Sequence, residues 1–283
     1  MFPSEFEYYR ASSVDEAIKL LGDHPDAKII AGGHSLLPAM KLRLAAPTGL
    51  VDIGHIENLH GISVNGGATI GALTTYRELE DAQELKSQFP IIAETANVVG
   101  DPAVRSRGTL GGSLAHSDPA ADFPAVILAL GGSVKVVGPS GERTISADDL
   151  FVDLFTTSLA EDELLTQVVI PSPSGHIGMA YEKHSHPASG YAVVGVAVVL
   201  GISNGTCQSA RIAITGATTK ATRATAAEQA LVGQPLNADT VANVAEHAAD
   251  GIEANGDIYA SAEYRTHLVK VYAKRALMRA AGL

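Results

Sequence analysis

The chain contains little cysteine and little charge. Of its 283 residues only Cys207 is a cysteine, none is a tryptophan, and charged residues make up 18%, which is below the usual quarter of a globular domain. A disulfide needs two thiols and an iron–sulfur cluster about four, so this chain alone can form neither. We interpret Cys207 as a small buried apolar residue in a strand. Any electron chemistry here therefore requires an organic cofactor.

Basic charge and long apolar runs are also scarce. With 20 Lys and Arg against 31 Asp and Glu the net charge is −11, which disfavours nucleic acid or an anionic membrane as the main partner. The longest apolar run, Tyr191 to Ile202, is shorter than the roughly 20 residues that span a bilayer. The first residues carry Glu5 and Glu7, unlike a secretory leader. We expect a cytoplasmic protein with no transmembrane segment.

Several common motifs of nucleotide and hydrolase chemistry are missing. The sequence has no Gly-x-Gly-x-x-Gly and no Gly-Lys pair, which argues against a Rossmann fingerprint or a P-loop. It also has no His-Glu-x-x-His, the signature of common metalloproteases. None of these signatures therefore identifies a reaction.

Turn and cap signals divide the chain. Ser13 and Glu16 form a capping box, and Asn65-Gly66 and Asn204-Gly205 are typical of tight hairpins. The segment 171–175, Pro-Ser-Pro-Ser-Gly, is the strongest linker candidate. Strands precede helices beyond it, the order of an α+β domain. We predict domains at residues 1–173 and 174–283.

Two glycine clusters are the strongest candidates for a binding site. Ala31 to Ser35 lies between a predicted strand and a predicted helix, and Thr109 to Ser113 has a similar composition. Glycines let the backbone approach a pyrophosphate closely, and successive amides form an anion nest. Most Gly-Gly pairs are simply turns, so these residues by themselves leave both interpretations open.

Short segments spread over the chain recur together in one known family. They are Ala31–Pro38, Lys41–Leu44, Val51–Ile53, Ile70–Thr74, Gly108–Asp122, Leu164–Thr166, Ile170–Pro171, Tyr181–Lys183, Tyr191–Ala192, Tyr264–Arg265 and Arg275–Leu277. In combination they resemble the FAD-binding medium subunits of the molybdenum hydroxylase (xanthine dehydrogenase) family, with the strongest likeness to the aerobic carbon monoxide dehydrogenases. The resemblance covers essentially the whole chain.

The resemblance implies an α+β fold: a two-subdomain FAD-binding α/β domain of the PCMH type, with subdomains of about 1–56 and 57–173, and a C-terminal α+β domain with an antiparallel sheet and helices. It also implies a role, in which a large subunit with a molybdenum cofactor oxidises the substrate and a small subunit with [2Fe-2S] clusters relays electrons to FAD on this chain. An external acceptor (quinone, NAD or oxygen) then takes the electrons. A dimer of heterotrimers is implied, cytoplasmic or held at the inner face of the membrane through its partners.

Site residues follow from the same resemblance. It implies that the FAD diphosphate is held by Ala31, Gly32, Gly33, His34 and Ser35, continued by Leu36, and by Thr109, Leu110, Gly111, Gly112 and Ser113. Further cofactor positions are Asp122, Leu165 and Lys183, and Tyr191 lies near the flavin ring. No catalytic residue and no metal ligand is implied. The plainer alternatives are a core role for Leu165, a helix cap for Asp122 and a solvated strand-end charge for Lys183.

The sequence departs from the family pattern at two places. Ser113 stands where relatives often carry Asn or Asp, and the segment 184–190 lacks the usual arginine and acidic residue, which bears on flavin reactivity rather than on FAD binding. His184 and His186 have no third metal ligand nearby, so we predict a solvent-facing loop. His34 and His116 flank the clusters and either contact cofactor or partner or have local structural roles.

Three functions remain open. The resemblance favours an electron-transfer flavoprotein subunit, most closely that of carbon monoxide dehydrogenase, or else of a hydroxylase acting on a purine, an N-heterocycle or an aldehyde. A stand-alone FAD oxidase is the second hypothesis, although the chain beyond the linker is short for a substrate domain. A cofactor-free scaffold on the same fold is the third. The substrate itself would be bound by another subunit.

Overall fold

The computed structural model describes residues 2–283, and three main sheets organise the chain. The first sheet is parallel, in the order β1-β3-β2, with Tyr9 opposite Val51. Its elements are β1 (Glu7–Arg10), α1 (Val14–Asp23), β2 (Ala27–Ile30), α2 (Leu36–Lys41) and β3 (Gly49–Asp52). Ser13 caps α1 by accepting a hydrogen bond from the Glu16 amide at 3.1 Å, which is one half of the predicted capping box. The other half does not form, because the Glu16 carboxylate accepts from the amide and hydroxyl of Ser12 instead. The first glycine cluster joins β2 to α2, at the carboxyl end of a parallel strand, where α/β sheets commonly bind ligands.

The second sheet is antiparallel, in the order β4-β5-β10-β6-β7. Its strands are β4 (Ile62–Asn65), β5 (Gly67–Gly71), β6 (Ser133–Gly138), β7 (Gly141–Ser146) and β10 (Leu164–Ile170). The helices between them are α3 (Tyr76–Asp81), α4 (Gln83–Gln88), α5 (Pro90–Val98), α6 (Pro102–Arg105), α7 (Leu110–His116), α8 (Asp122–Ala129) and α9 (Ala147–Leu150). A small hairpin, β8 (Phe151–Asp153) with β9 (Thr156–Thr157), projects from this region. Phe89 and Phe123 are fully buried in its core.

The third sheet is an antiparallel meander in the order β11-β12-β13-β14. Its strands are β11 (His176–Ser185), β12 (Ala192–Ser203), β13 (Thr206–Thr215) and β14 (Thr222–Arg223), followed by α10 (Thr225–Leu231), α11 (Ala238–Glu246) and α12 (Ala262–Ala281). Helix α12 packs on β11 and β12, so closely at one point that a Cβ on Gly178 would lie within 1.8 Å of the Ala280 carbonyl oxygen. Cys207 is fully buried in β13, as predicted.

Helix α8 joins the second and third sheets. It is buried along its whole length and packs against β12 and β13. This contact brings the start of β12 beside the segment that precedes α8. Among residues 2–283 no helix is both long and apolar enough to cross a bilayer.

The predicted α+β class is confirmed, with an antiparallel sheet and helices in the C-terminal part. The residues 171–175 connect β10 to β11, and the domain boundary placed there stays a prediction. Two helices differ in their bounds from what the residue pattern predicts. The apolar spacing of residues 35–44 predicts one helix, which ends at Lys41, because Arg43 takes a left-handed φ of 62°. The pattern of residues 221–231 predicts another, which begins only at Thr225, because Thr222 and its neighbour pair with β13.

Candidate functional site

A cavity of about 670 Å³ lies where the three sheets meet. Its lining comes from β2 and the first glycine cluster, from α7 and the start of α8, from the β8–β9 hairpin, and from the loop before β12. This volume is in the range of small-molecule and cofactor sites. Both glycine clusters predicted from the sequence therefore face the same space.

The first glycine cluster provides unpaired backbone donors. Gly33 takes a left-handed φ of 74°, and the amide N–H groups of residues 32–36 have no hydrogen-bond acceptor within residues 2–283. A Cβ on Gly32 would lie 2.1 Å from the Arg107 carbonyl oxygen, so a residue with a side chain at position 32 could not lie this close to the segment that leads into the second cluster. Such a row of amides attracts an anion. Ala31, His34, Ser35 and Leu36 also line the cavity.

The second glycine cluster is only partly exposed to the cavity. Thr109 caps α7, and its Oγ1 accepts a hydrogen bond from the Gly112 amide at 3.2 Å; both line the cavity, as does Ser113. The amides of Leu110 and Gly111 instead donate to the carbonyl oxygens of Thr74 and Ala72 at 3.0 and 2.9 Å. Neither residue lines the cavity. They attach the loop to the second sheet.

Asp122 is the centre of a buried polar cluster behind one wall. It is 5% exposed, and Lys183 Nζ lies 2.9 Å from its Oδ1. Tyr181 donates its hydroxyl to the same oxygen at 2.5 Å. Lys183 also donates to the Val98 carbonyl oxygen at 2.9 Å. The carboxylate is thereby fixed by two groups from β11.

Burial and pairing act in opposite directions on this cluster. Burial raises the pKa of Asp122, and the charge of Lys183 and the Tyr181 hydrogen bond oppose that rise. Burial, together with the charge of Asp122, raises the pKa of Tyr181 well above its usual range. Tyr181 therefore remains a protonated donor.

Asp122, Lys183 and Leu165 are all buried, which bears on the plainer alternatives for their roles. Asp122 makes no capping hydrogen bond, because the N-cap of α8 is Ala121. The Lys183 side chain is 4% exposed, so it is a buried partner of Asp122 rather than a solvated charge, and it does not line the cavity. Leu165 is 4% exposed and packs in the core of the second sheet, as its plainer alternative states.

Tyr191 lines the cavity next to the first glycine cluster. It is 41% exposed. Burial and the charge of Asp118 raise the pKa of its hydroxyl, and Ser35 partly opposes the rise. The amide of Ala192, the next residue, donates to the Ala120 carbonyl oxygen at 3.2 Å. The tyrosine is thus positioned by the segment that leads into α8.

The predicted solvent-facing loop of His184 and His186 is wrong in one respect, since both side chains are half-buried against tyrosines. His184 Nδ1 lies 3.3 Å from the Tyr272 hydroxyl, and the His186 ring lies 4.3 Å from that of Tyr259. No group of three His, Cys, Asp or Glu side chains within residues 2–283 could hold a metal.

Sequence reasoning missed three aromatic residues of the cavity wall, namely Tyr76, Phe123 and Phe155. Tyr76 lines the cavity and stacks on Phe123 with ring centroids 5.3 Å apart. Phe155, at the tip of the β8–β9 hairpin, lines it as well and contacts His116 at 5.1 Å between ring centroids. Burial lowers the pKa of His116. No local signal in the sequence indicates that this hairpin reaches the cavity.

The chemistry of the cavity fits a dinucleotide such as FAD. The unpaired amides of residues 32–36 supply an anion nest, and the close approach at Gly32 shapes it. The walls are predominantly apolar with aromatic residues, as the ring systems of a dinucleotide require. A diphosphate between two ring systems matches this arrangement.

Comparisons with known proteins agree along the whole chain. The model of the FAD binding domain in molybdopterin dehydrogenase matches residues 4–173, and that of the CO dehydrogenase flavoprotein C-terminal domain matches residues 179–280. The chain is 38% identical over 279 residues to the carbon monoxide dehydrogenase medium chain of Hydrogenophaga pseudoflava, covering 98% of this chain and 97% of that protein. It is also 38% identical over 274 residues to the nicotine 6-hydroxylase medium subunit of Paenarthrobacter nicotinovorans, covering 96% of each.

Solved structures give the same result. A carbon monoxide dehydrogenase from Hydrogenophaga pseudoflava that lacks the Mo-pyranopterin moiety of its cofactor contains a chain that is 40% identical to this one. The two superpose with a TM-score of 0.96, over 99% of this chain and 98% of that one.

Proposed function

Because this chain belongs to the FAD-binding medium subunits of the molybdenum hydroxylases, we propose that it is the flavin subunit of an aerobic carbon monoxide dehydrogenase. In this role it receives electrons from an iron–sulfur subunit and passes them to an external acceptor. The observation that carries the proposal is the row of unpaired amides at residues 32–36, which faces a cavity that Tyr191 also lines. Relatives named as carbon monoxide dehydrogenase chains support the choice within the family.

In this proposal the diphosphate rests on residues 31–36 and on Thr109, Gly112 and Ser113. The amides of residues 32–36 donate to its oxygens without first giving up another bond. The Gly112 amide must exchange its bond to Thr109 Oγ1 or share it. Leu110 and Gly111 act behind the loop, because their amides already bond to the second sheet.

Bound FAD supplies a redox centre that takes electrons singly from a cluster and releases them to another carrier. The residues of this chain bind and orient it. Tyr191 presents an aromatic face to the ring system. Asp122, held by Lys183 and Tyr181, fixes the wall beside the cofactor, and Leu165 supports that wall from the core. These residue roles are part of the proposal.

The partners are part of the same proposal and rest on the family. One cysteine cannot hold a [2Fe-2S] cluster, which agrees with the family's division of labour. By that resemblance we assign the clusters to a small subunit and the molybdenum cofactor to a large one, in a dimer of heterotrimers. The external acceptor is a quinone, NAD or oxygen. The complex is cytoplasmic and reaches the inner face of the membrane only through partner subunits.

The second candidate is the medium subunit of a hydroxylase for an N-heterocycle. The 38% identity to the nicotine 6-hydroxylase medium subunit favours it, since this equals the identity to a carbon monoxide dehydrogenase chain. The two candidates share the flavin role. They differ in the substrate, which binds outside this chain.

The test is the visible spectrum of the complex purified from its host, with cofactor extraction, followed by anaerobic exposure to carbon monoxide. We expect about one FAD per chain, iron–sulfur and molybdenum in the co-purifying subunits, and bleaching of the flavin band by carbon monoxide. Bleaching by an N-heterocycle and not by carbon monoxide would select the second candidate. A complete complex without flavin, or substrate oxidation by this chain alone, would overturn the flavin-subunit role.

A further inference from the structure

Arg265 is a buried charge that the proposed cofactor site does not use. It lies near the start of α12 and is 7% exposed. Its guanidinium donates to the carbonyl oxygens of Val193 at 2.5 Å and Gly216 at 2.6 Å, and to Asp257 Oδ2 at 2.5 Å. One side chain thus joins the beginning of β12, the end of β13 and the loop before α12. None of these three groups lines the cavity.

The two strand ends that Arg265 joins support the cavity wall. The Gly216 amide donates to the Pro119 carbonyl oxygen at 2.7 Å, and the Ala192 amide donates to Ala120 at 3.2 Å. The Thr215 hydroxyl lies within 2.7 Å of the Pro119 carbonyl oxygen. The segment 119–121 is therefore held by hydrogen bonds to the ends of β12 and β13. It leads directly into Asp122, while Tyr191 directly precedes β12.

The ends of β12 and β13 pack against each other very closely near Arg265. Gly216 has a φ of 83°, and a Cβ on it would lie 2.6 Å from the carbonyl oxygens of both Ala192 and Val193. Arg265 also leaves its own Nε buried without a partner within residues 2–283, an unfavourable arrangement. Nη1 donates to both carbonyl oxygens and Nη2 donates to Asp257, so Nε is the nitrogen left without an acceptor. The guanidinium holds its donors in a rigid planar fork, whereas the three donors of a lysine ammonium share one nitrogen on a flexible stem.

We propose that Arg265 is a positioning residue for the flavin wall, holding the ends of β12 and β13 so that Tyr191 and Asp122 keep their places around the cofactor. The inference rests on the proposed function, because it gives these two residues a role toward FAD. Its chain of contacts runs from Arg265 to Val193 and Gly216, and from these strand ends to the segment 119–121.

Arg211 provides a matched control. It too joins the second and third sheets, donating to the Leu128 carbonyl oxygen at 2.9 Å and to both oxygens of Asp148. Neither Arg211 nor these partners line the cavity. Arg211 therefore bonds to the C-terminal end of α8 and to α9, and not to the segment 119–121. Arg211→Met removes an arginine that joins the second and third sheets and leaves the hydrogen bonds of the segment 119–121 in place.

The experiment compares the full chain, with its accompanying subunits, as wild type, Arg265→Met, Arg265→Lys and Arg211→Met. The readouts are the FAD release rate, the visible circular dichroism of bound FAD, hydrogen exchange at residues 190–193 and 216, and the melting temperature. For Arg265→Met we expect about tenfold faster release, which corresponds to about 1.4 kcal/mol, together with altered dichroism and faster exchange. For Arg265→Lys we expect the same changes at about a third of the size. For Arg211→Met we expect a lower melting temperature only.

Two results would overturn the proposal in distinguishable ways. The first result assumes that the wild type holds FAD. If Arg265→Met and Arg211→Met then lower the melting temperature to a similar extent, and the two variants have the same FAD release rate and the same dichroism spectrum, Arg265 is merely structural. If the wild type holds no FAD, the proposed function fails and takes the positioning role with it. Should Arg265→Met not fold, Arg265→Lys with unaltered dichroism and exchange would be equally decisive.

Discussion

The hydroxyl of Tyr181 donates to Oδ1 of Asp122 at 2.5 Å, and Lys183 Nζ approaches the same oxygen to 2.9 Å. One carboxylate on α8 is thus fixed by two residues that are neighbours on one face of β11. Since α8 belongs to the second sheet region and β11 to the third, this contact ties the two together behind the cavity wall.

Replacing one partner of the buried Asp122–Lys183 ion pair should lower the free energy of unfolding more than replacing both. Asp122→Asn leaves the Lys183 ammonium without a counter-charge, and loss of one partner of a buried pair typically costs about 3–5 kcal/mol. We expect the double variant Asp122→Asn, Lys183→Met to be more stable than Asp122→Asn alone. Urea unfolding of the full chain measures this. A double variant at least as unstable as the sum of the single ones would contradict the pairing.

Tyr181 and Gly195 should be coupled. Tyr181→Phe loses one hydrogen bond to a carboxylate, about 1.5–3 kcal/mol. Gly195→Ala should destabilise as well, because its Cβ would lie 2.3 Å from the Tyr181 hydroxyl. In the double variant the hydroxyl is gone, so Gly195→Ala should cost less than it does in the wild type. Equal costs in both backgrounds, by urea unfolding, would rule out this contact.

Gly32→Ala should impair FAD binding without a general loss of fold. The added Cβ would lie 2.1 Å from the Arg107 carbonyl oxygen and push the two glycine clusters apart. We expect FAD affinity to fall about 100-fold, corresponding to about 2.7 kcal/mol. The control is Gly22→Ala in α1, where a Cβ meets nothing within 4 Å. It should stabilise the chain by about 0.5–1 kcal/mol, and titration of FAD into the apoprotein should show unchanged affinity.

Thr109 should be replaceable by serine but not by alanine. Its Oγ1 accepts the Gly112 amide as the N-cap of α7, and loss of such a cap costs about 1 kcal/mol. Thr109→Ala should therefore lower the free energy of unfolding by this amount, while Thr109→Ser keeps the oxygen and should lose little. If thermal unfolding of the two variants were the same, the cap would be irrelevant to stability.

His116 should make the apoprotein less stable in acid. Burial lowers its pKa below the ordinary value of 6.5, so the unfolded state binds the proton more readily. The contribution of the neutral His116 ring to the free energy of unfolding is fully present above pH 6.5. It is lost as the pH falls through the lower pKa of the folded state. His116→Gln should flatten this part of the pH profile of unfolding. A profile identical to that of the wild type would assign the acid sensitivity to other groups.

Local sequence was sufficient for features that depend on a few neighbouring residues. The Ser13 cap, the Asn-Gly turns and the valine-rich strand before Asn204 were all predicted, because caps, turns and strand patterns are set within about one turn of chain. The glycine clusters were found for the same reason, and the family motifs identified what they are expected to hold. The single cysteine alone excluded a cluster on this chain.

Tertiary structure alone decided which of those residues face the cavity. Asp122 and Lys183 are 61 residues apart, and nothing near either one in the chain indicates that they form a buried pair. Leu110 and Gly111 belong to the predicted cluster but are turned into hydrogen bonds with the second sheet. Phe155 and Arg265 gain their roles only from where their elements pack. A residue's type and spacing specify what it can bind, but burial and distant partners determine whether it is free to do so.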